Sequence, residues 1–296
     1  MSTTVEPTRV GFFEAGTPEW HAARAQGIGG SEIAAVLGLS PYESRFSLWH
    51  RKKGLIGPVE ESEQMYWGKV DEPGIASRFA EFHPEFTVCP SPTYSAVERP
   101  WQVANPDRLL YGDGPMELLE IKTSRDDEGW GEPGTDQIPV WYRCQCLWYL
   151  DVLGAQRCHV AVRIAGCEYR EYVIDYNPAE AELLREAGAQ FMHDLKHDVR
   201  PDIDGHSATY QTVRVLPEGL DDVDVEVDPL LVRRFHDAQD AYWEADDELT
   251  ACKASLLDLI GTGRRAVLGA ERIATRTVRD GKTYSLMPAR TRRNAR

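Results

Sequence analysis

Asp107, Glu120 and Lys122 have the types and the spacing of a metal-dependent hydrolytic site. Glu120 and Lys122 are separated by one residue, and Asp107 precedes them in the same stretch of chain. Side chains two residues apart on a β-strand point to the same side, so a strand over 118–122 gives Glu120 and Lys122 a common face. We expect Asp107 to end the neighbouring strand and to meet them there.

Carboxylate oxygens are the ligands that hard divalent cations prefer. Such cations activate water and stabilise the leaving oxygen of a phosphodiester, and an ammonium can orient the water or offset developing negative charge. A Glu-x-Lys pair also occurs in ordinary salt-bridge ladders on exposed strands. The three residues alone therefore fit either a surface strand or a phosphodiesterase site.

The elements that must position these residues follow an α/β order. Hydrophobic spacing and the distribution of Pro, Gly and Asp predict alternating helices and short strands. The predicted helices are 32–37 with Ser31 as its N-cap, a helix opened by 40–42, 62–83, 138–153 and 178–197. The predicted strands are 86–88, 94–96, 101–104, 118–122, 158–164 and 169–174. This order predicts a sheet with helices packed against it.

The chain changes character after Pro201. Residues 202–228 are polar and acidic, and a series of hydrophobic residues spaced by three and four begins at Phe235. Asp280-Gly281 separates two strand-like runs, as in a two-residue hairpin turn. We predict a first domain over 1–200, an acidic linker over 201–228, and a helix and hairpin module with a basic tail over 229–296. The helix could pack on its own chain or pair with another copy, and its small residues favour the first arrangement.

The net charge of −15 is unevenly distributed. Residues 218–248 hold twelve acidic and two basic residues, a local net charge of −10. Basic residues cluster over 45–53 and in the tail 290–296, so the overall charge does not exclude a nucleic acid. With no membrane-length apolar run and no signal-peptide pattern, we expect a cytoplasmic protein with no membrane partner. The six cysteines contain no CxxC pair, and Cys144 and Cys146, in an apolar stretch, are expected to be buried free thiols.

Five blocks of the chain, in matching order over roughly 18–175, are similar to the YqaJ-like viral recombinases, the family of the lambda-type alkaline exonuclease. The blocks are Trp20 and Arg24 with 27–42; Trp67-Gly68 with Glu72; Asn105-Pro106-Asp107; Glu120-Ile121-Lys122; and Ile138-Pro139 with Tyr142, Gln145 and Tyr149-Leu150. Five ordered blocks are far more specific than a Glu-x-Lys pair.

The resemblance implies a PD-(D/E)xK restriction-endonuclease-like core, with a central mixed sheet flanked by helices. It implies an enzyme that digests one strand of linear double-stranded DNA from its 5′ end. The 3′ overhang would serve a single-strand annealing protein in phage-type recombination. It also implies Mg²⁺, with two ions per site and Mn²⁺ as a substitute, and a homo-oligomer, with a ring-shaped trimer favoured.

The resemblance also assigns the metal site. It implies that Glu72, Asp107 and Glu120 are metal ligands together with the main-chain carbonyl of Ile121. Lys122 would then position or activate the attacking water.

Further positions match residues around the metal site of the family. The resemblance implies that Gln145 supports the site from the following helix, and that Arg24 and Ser31 hold the 5′-terminal phosphate of DNA. Asn105 can also donate to phosphate. The family often has Gly after the motif Asp, where this chain has Arg108, and this departure alters the turn but keeps the ligand.

Two other functions compete with the exonuclease. One is a DNA-end-binding or assembly protein that kept the fold and lost cleavage, which the three intact motif residues disfavour. The other is a relative in repair or CRISPR adaptation with an iron–sulfur cluster, which needs four clustered cysteines that the spacing does not supply. Tyr42, Trp49, Trp67 and Trp130 could stack on bases. Trp49 and Trp67 are expected in the core, and Trp130 in its Gly-rich loop is the better candidate.

Overall fold

The computed structural model describes residues 7–13, 17, 19, 27–216, 219 and 221–289. The chain forms two compact units, Met1–Gly219 and Leu220–Arg296. Within the described ranges, no helix has the length and apolar character needed to cross a membrane.

Strands and helices alternate along the first unit. In chain order they are β1 (Thr8–Gly11), β2 (Ile28–Gly29), α1 (Gly30–Val36), α2 (Arg45–Lys52), α3 (Glu63–Phe82), β3 (Thr87–Pro90), β4 (Thr93–Ser95), β5 (Gln102–Ala104), β6 (Arg108–Tyr111), β7 (Glu117–Ser124), α4 (Val140–Leu153), β8 (Arg157–Ile164), β9 (Glu168–Asp175), α5 (Pro178–Lys196) and α6 (Ser207–Val215).

A five-stranded mixed sheet in the order β3-β6-β7-β8-β9 organises this unit. β7 and β8 run parallel, whereas the other neighbours are antiparallel. A parallel pair needs a crossover connection, and α4 supplies it. A smaller sheet has the order β1-β4-β5-β2. The predicted mixed sheet with flanking helices is thus confirmed.

The two faces of β7 meet different layers. Leu119 and Ile121 pack with Ile75 and Phe79 of α3, which confirms the face predicted for these two residues. Leu118 on the opposite face belongs to the larger core that includes α4 and α5. Because side chains alternate along a strand, Glu120 and Lys122 also lie on the α4 side.

The strand before β7 was not predicted. Asp107 precedes β6 and does not end a strand, because the chain bends at Asp107 and only then pairs with β7, with Arg108 opposite Leu119. β6 contains two buried residues, Leu109 and Leu110. So short an apolar run resembles a turn in sequence.

Two predicted helix starts are also wrong. The backbone amide of Gly29 donates to the Glu32 carboxylate at 2.8 Å, so α1 begins at Gly30 and Ser31 lies inside it. The next helix begins after Ser44, whose hydroxyl accepts from the Ser47 amide at 3.0 Å. The Ser40 hydroxyl instead accepts from nearby amides in the preceding turn.

Helix α6 occupies part of the stretch predicted as an acidic linker. Thr209 in this helix is fully buried, and its hydroxyl lies 2.6 Å from the hydroxyl of Ser44 and 2.6 Å from a carboxylate oxygen of Asp204. The hydrophobic pattern did not reveal this helix because its buried face consists of threonines, Thr209 and Thr212.

The second unit contains a long helix and a small antiparallel sheet. Its elements are α7 (Pro229–Ile260), β10 (Arg265–Leu268), β11 (Glu271–Arg279) and β12 (Lys282–Pro288), with the strands in that order. Asp280 and Gly281 have φ values of 51° and 73°, as a two-residue hairpin turn of this kind requires. The predicted helix and hairpin are confirmed, and β10 adds a third strand.

Gly188 allows close packing between α5 and two tryptophans. A Cβ atom at this position would lie 2.8 Å from a ring carbon of Trp101 and 2.9 Å from one of Trp148. We predict that Gly188→Ala destabilises the protein by about 1–3 kcal/mol, because a methyl group must displace packed rings. Alanine favours helices more than glycine does, so helix propensity alone would predict a gain in stability. Urea unfolding measures the effect.

Gly74→Ala in α3 is the matched control, because nothing lies within 4 Å of the Cβ position there. This variant should be as stable as the wild type or more stable. A Gly188→Ala protein that gained stability in the same way would contradict the packing argument.

Candidate active site

The predicted motif residues meet at the junction of β6, β7 and α4. Asp107 accepts a hydrogen bond through Oδ2 from the backbone amide of Ile121, at 2.6 Å. Lys122 forms an ion pair with Glu120 on the same face of β7. The structure therefore brings Asp107, Glu120 and Lys122 together, although Asp107 reaches the site from the start of a strand.

Helix α4 brings Gln145, predicted to support the site, into contact with Glu120. Its amide nitrogen donates to Glu120 Oε1 at 2.6 Å and lies 3.1 Å from the hydroxyl of Tyr149, one turn further along the helix. The Lys122 ammonium lies 5.0 Å from the ring centroid of Tyr142, within range of a cation–π interaction. Tyr142 and Tyr149 belong to the blocks that resemble the family, but no role was predicted for them from the sequence.

Arg108, the residue that departs from the family pattern, contacts Glu72. Its guanidinium donates to Glu72 Oε1 at 2.5 Å and to the main-chain carbonyl of Asp107 at 2.6 Å. Glu72 lies on α3 and reaches the site from the opposite face of the sheet. The residue type at 108 was visible in the sequence, but its partner is 36 positions away and was not.

Buried carboxylates and their countercharges determine the electrostatics of the site. Burial raises the pKa of Asp107 well above its usual value, and the charges of Glu120 and Glu72 raise it further. Burial also raises the pKa of Glu120, against the opposing effect of Lys122. Burial alone would lower the pKa of Lys122, but Glu120 and Asp107 raise it above the normal range. Lys122 is therefore a persistent cation, suited to orienting a reactant and not to accepting a proton.

The donor chemistry fits a divalent cation. Glu120 is 1% exposed, and its Oε2 atom is buried with no hydrogen-bond partner among the described residues. A buried carboxylate oxygen without a partner is unfavourable, and a hard cation would satisfy it. No three His, Cys, Asp or Glu residues in the described ranges form a ready-made metal group. Glu72 is turned to Arg108 instead, so a cation would have to replace that ion pair.

The predicted phosphate-binding residues are only partly covered by the structure. Arg24 lies outside the described residues. Ser31 is exposed in the first turn of α1, and Asn105 is half-buried two residues before Asp107. Their roles toward phosphate stay predictions.

The structure reverses the expectation for two tryptophans. Trp130 is 4% exposed and packs against Tyr142 and Tyr172, so its loop folds it into the core. Trp67 is 54% exposed on α3, although it was expected in the core. Trp49 is buried, as predicted, and Tyr42 is exposed. Of the four aromatic residues considered for stacking on bases, Trp67 and Tyr42 are therefore the exposed ones.

The basic cluster over 45–53 is largely neutralised within the first unit. Arg45 pairs with Asp194 at 2.8 Å and Lys52 with Glu32 at 2.9 Å. The other two cations also have carboxylate partners, in the pairs Arg51–Glu43 and Lys53–Asp198. This cluster serves packing between helices more than it offers free charge to a polyanion.

Comparison with known proteins connects this site to a family. The profile described as the YqaJ-like viral recombinase domain matches residues 19–156. Residues 19–156 are thus similar to the YqaJ-like viral recombinase domain. The matched range ends before β8, so it is shorter than the resemblance read from the sequence blocks, and it includes every predicted site residue.

A curated relative of this YqaJ-like domain is the uncharacterized protein YqaJ of Bacillus subtilis strain 168. The two are 29% identical over 208 residues, which is 66% of this chain and 62% of the relative. The chain thus spans less than two thirds of the length of the curated relative that it matches.

Two solved structures share the fold of the YqaJ-like domain. The alkaline exonuclease LHK-Exo of Laribacter hongkongensis is 20% identical with a TM-score of 0.50, over 62% of this chain and 94% of that chain. LHK-Exo in complex with dAMP is 18% identical with a TM-score of 0.51, over the same shares. These likenesses show a shared fold and agree with the mixed sheet and flanking helices that the sequence predicted.

The raised pKa of Asp107 predicts a stability change that depends on pH. Below the unfolded-state pKa of about 4, Asp107 is protonated in both the folded and the unfolded protein and does not affect stability. Above that pH the unfolded protein loses the proton more readily, so the free energy of unfolding decreases. Asp107→Asn keeps an acceptor for the Ile121 amide and removes the charge. We therefore expect this variant to melt a few degrees above the wild type at pH 8 without metal, and the difference to shrink toward pH 4.

Asp113→Asn is the control, because Asp113 is exposed in the turn between β6 and β7. Thermal melts of both variants in the presence of a chelator measure the effect. An Asp107→Asn protein that melts below the wild type at pH 8 would show that Asp107 is not electrostatically strained.

Proposed function

We propose that the chain is a Mg²⁺-dependent exonuclease that degrades one strand of linear double-stranded DNA in the 5′→3′ direction. The observation that carries the proposal is the buried carboxylate of Glu120, with one oxygen unpartnered beside Asp107 and Lys122. The family of the domain and its PD-(D/E)xK-like core support a nuclease. The product would be a 3′ overhang for a single-strand annealing protein.

Glu72, Asp107 and Glu120, with the main-chain carbonyl of Ile121, would hold Mg²⁺, two ions per site, with Mn²⁺ as a substitute. The metal would supply an activated water and stabilise the leaving oxygen of the phosphodiester. Asp107 is oriented by the Ile121 amide, and Gln145 fixes Glu120 through Oε1. The unpartnered Oε2 of Glu120 would then be available to the cation.

Lys122 has an electrostatic task in this proposal. Its raised pKa keeps the side chain charged, so it donates hydrogen bonds to the attacking water or to a phosphate oxygen. The ring of Tyr142 restricts the ammonium from one side. Gln145 acts as a positioning residue because it touches Glu120 and not the substrate.

Recognition of the DNA end is assigned to residues outside the metal site. Arg24 and Ser31 would bind the 5′-terminal phosphate, with Asn105 donating to a phosphate closer to the metal. A guanidinium and a hydroxyl suit a phosphate group because they supply several directed donors. The exposed ring of Trp67 on α3 would be free to stack on a base.

The functional test is nucleotide release from linear duplex DNA with and without Mg²⁺. We expect Asp107→Ala, Glu120→Ala and Lys122→Ala each to lower kcat at least a hundredfold, since each loses about 3 kcal/mol or more of transition-state stabilisation. Lys196→Ala is the control, because Lys196 is an exposed lysine at the end of α5.

Retained folding must accompany each loss, as judged by circular dichroism. Wild-type protein that binds duplex ends but releases no nucleotide with Mg²⁺ or Mn²⁺ would refute the proposed activity and favour an end-binding protein. Near-normal turnover by Lys122→Ala alone would refute only the task given to Lys122.

End recognition gives a separate prediction. Arg24→Ala should lower kcat/KM on 5′-phosphorylated duplex at least tenfold more than on 5′-hydroxyl duplex, because the guanidinium acts on the terminal phosphate and not on the scissile bond. Steady-state kinetics on the two substrates check this. Equal losses on both would contradict a phosphate-specific role.

A further inference from the structure

Helix α7 of the second unit presents an apolar stripe to solvent. None of its 32 residues, all of which the structure describes, is buried. Leu256, Leu257 and Ile260 near its end pack against the adjoining sheet. The stripe before them consists of residues spaced by three and four, namely Leu231, Phe235, Ala238, Tyr242, Ala245 and Leu249. This is the spacing of a coiled-coil seam.

The stripe alternates large and small residues, and the large ones are well exposed. Phe235 is 59% exposed and Tyr242 is 68% exposed. Between them, a shallow recess is lined by Phe235, Ala238, Gln239, Tyr242 and Trp243. Ala238 is the small residue of the stripe within it, so the recess can accept a large side chain from another helix.

We propose that two copies of the chain associate through this stripe, with the two α7 helices antiparallel and centred on Asp240. In this register Phe235 lies opposite Ala245 of the second copy, and Tyr242 lies opposite Ala238 of the second copy. Leu231 and Leu249 close the two ends. Every layer then combines a large with a small residue or two leucines, over about 27 Å of helix at 1.5 Å per residue.

A parallel arrangement packs the same stripe poorly. It places identical residues opposite each other, so Phe235 and Tyr242 form crowded layers while Ala238 and Ala245 leave gaps. Uneven layers of this kind lose contacts and destabilise a packed interface. The large-on-small order of the stripe therefore specifies the antiparallel direction.

Charges beside the seam agree with this register. Arg234 and Glu248 each immediately precede a residue of the stripe. In the antiparallel register, Arg234 of each copy lies opposite Glu248 of the other copy. A parallel pair would set Arg234 opposite Gln239 and Glu248 opposite Lys253. Glu248 meets an opposite charge in either direction, whereas Arg234 meets a carboxylate only in the antiparallel one, so exchanging the charges at 234 and 248 tests the register.

Cysteine crosslinking of the full chain tests the orientation. In a Cys252→Ser background, Ala241→Cys should form a disulfide-linked dimer on mild oxidation, because residue 241 flanks the seam next to the dyad. Asp240→Cys is the control, since this position points away from the seam. In the wild type the two Cys252 residues would lie about 36 Å apart along the axis, at 1.5 Å per residue, and should not link.

Efficient crosslinking through Cys252 would show a parallel pair and overturn the proposal. Equal crosslinking of Ala241→Cys and Asp240→Cys would show random collision and would also overturn it.

Light scattering of the full chain tests the surface itself. Phe235→Glu combined with Tyr242→Glu should halve the molar mass of the wild type, with helicity by circular dichroism unchanged. Arg234→Glu should weaken association at least tenfold, and adding Glu248→Arg should restore it. An unchanged molar mass in the Phe235→Glu, Tyr242→Glu variant would refute pairing through the stripe, and is expected if the first unit or an unrelated protein covers it. If Glu248→Arg failed to restore association of the Arg234→Glu variant, the register would be refuted.

Discussion

The carboxylate of Glu120 is buried within a hydrophobic sheet, and the groups around it offset the free-energy cost of burying its charge. Burial disfavours a charged carboxylate strongly unless partners compensate. One oxygen of Glu120 receives Lys122 and Gln145, while the other has no partner among the described residues. β7 therefore carries a polar stripe on one face and the Leu119–Ile121 core on the other, and α4 must cross over this strand to deliver Gln145.

Strand periodicity made part of this arrangement predictable. Glu120 and Lys122 are two residues apart, so any strand gives them one face, and the apolar residues between them identify the core side. The family blocks added Gln145 and Glu72, which local spacing could not connect to the motif. Asp107 lies near Glu120 and Lys122 as expected, but at the start of a strand, because β6 contains too few apolar residues to be recognised in the sequence.

Features that depend on distant partners were not predictable. Trp130 and Trp67 exchanged their expected environments because exposure is decided by what packs over a ring, not by the composition of its loop. The basic run over 45–53 suggested a surface for polyanions, yet its cations form ion pairs with carboxylates up to 149 positions away in the sequence. Helix α6 was hidden for a similar reason, since threonines make its buried contacts.

The ion pair between Arg108 and Glu72 makes cation binding an exchange reaction. Under the proposed function, a divalent ion that takes Glu72 must displace the guanidinium, and the released Arg108 then has no carboxylate partner. DNA phosphate would bind that cation most readily after the metal has arrived. Affinity for metal and affinity for substrate are then thermodynamically linked, each strengthening the other by the same factor. A chain with glycine at this position has no such internal competitor, and its metal affinity would be set by the carboxylates alone.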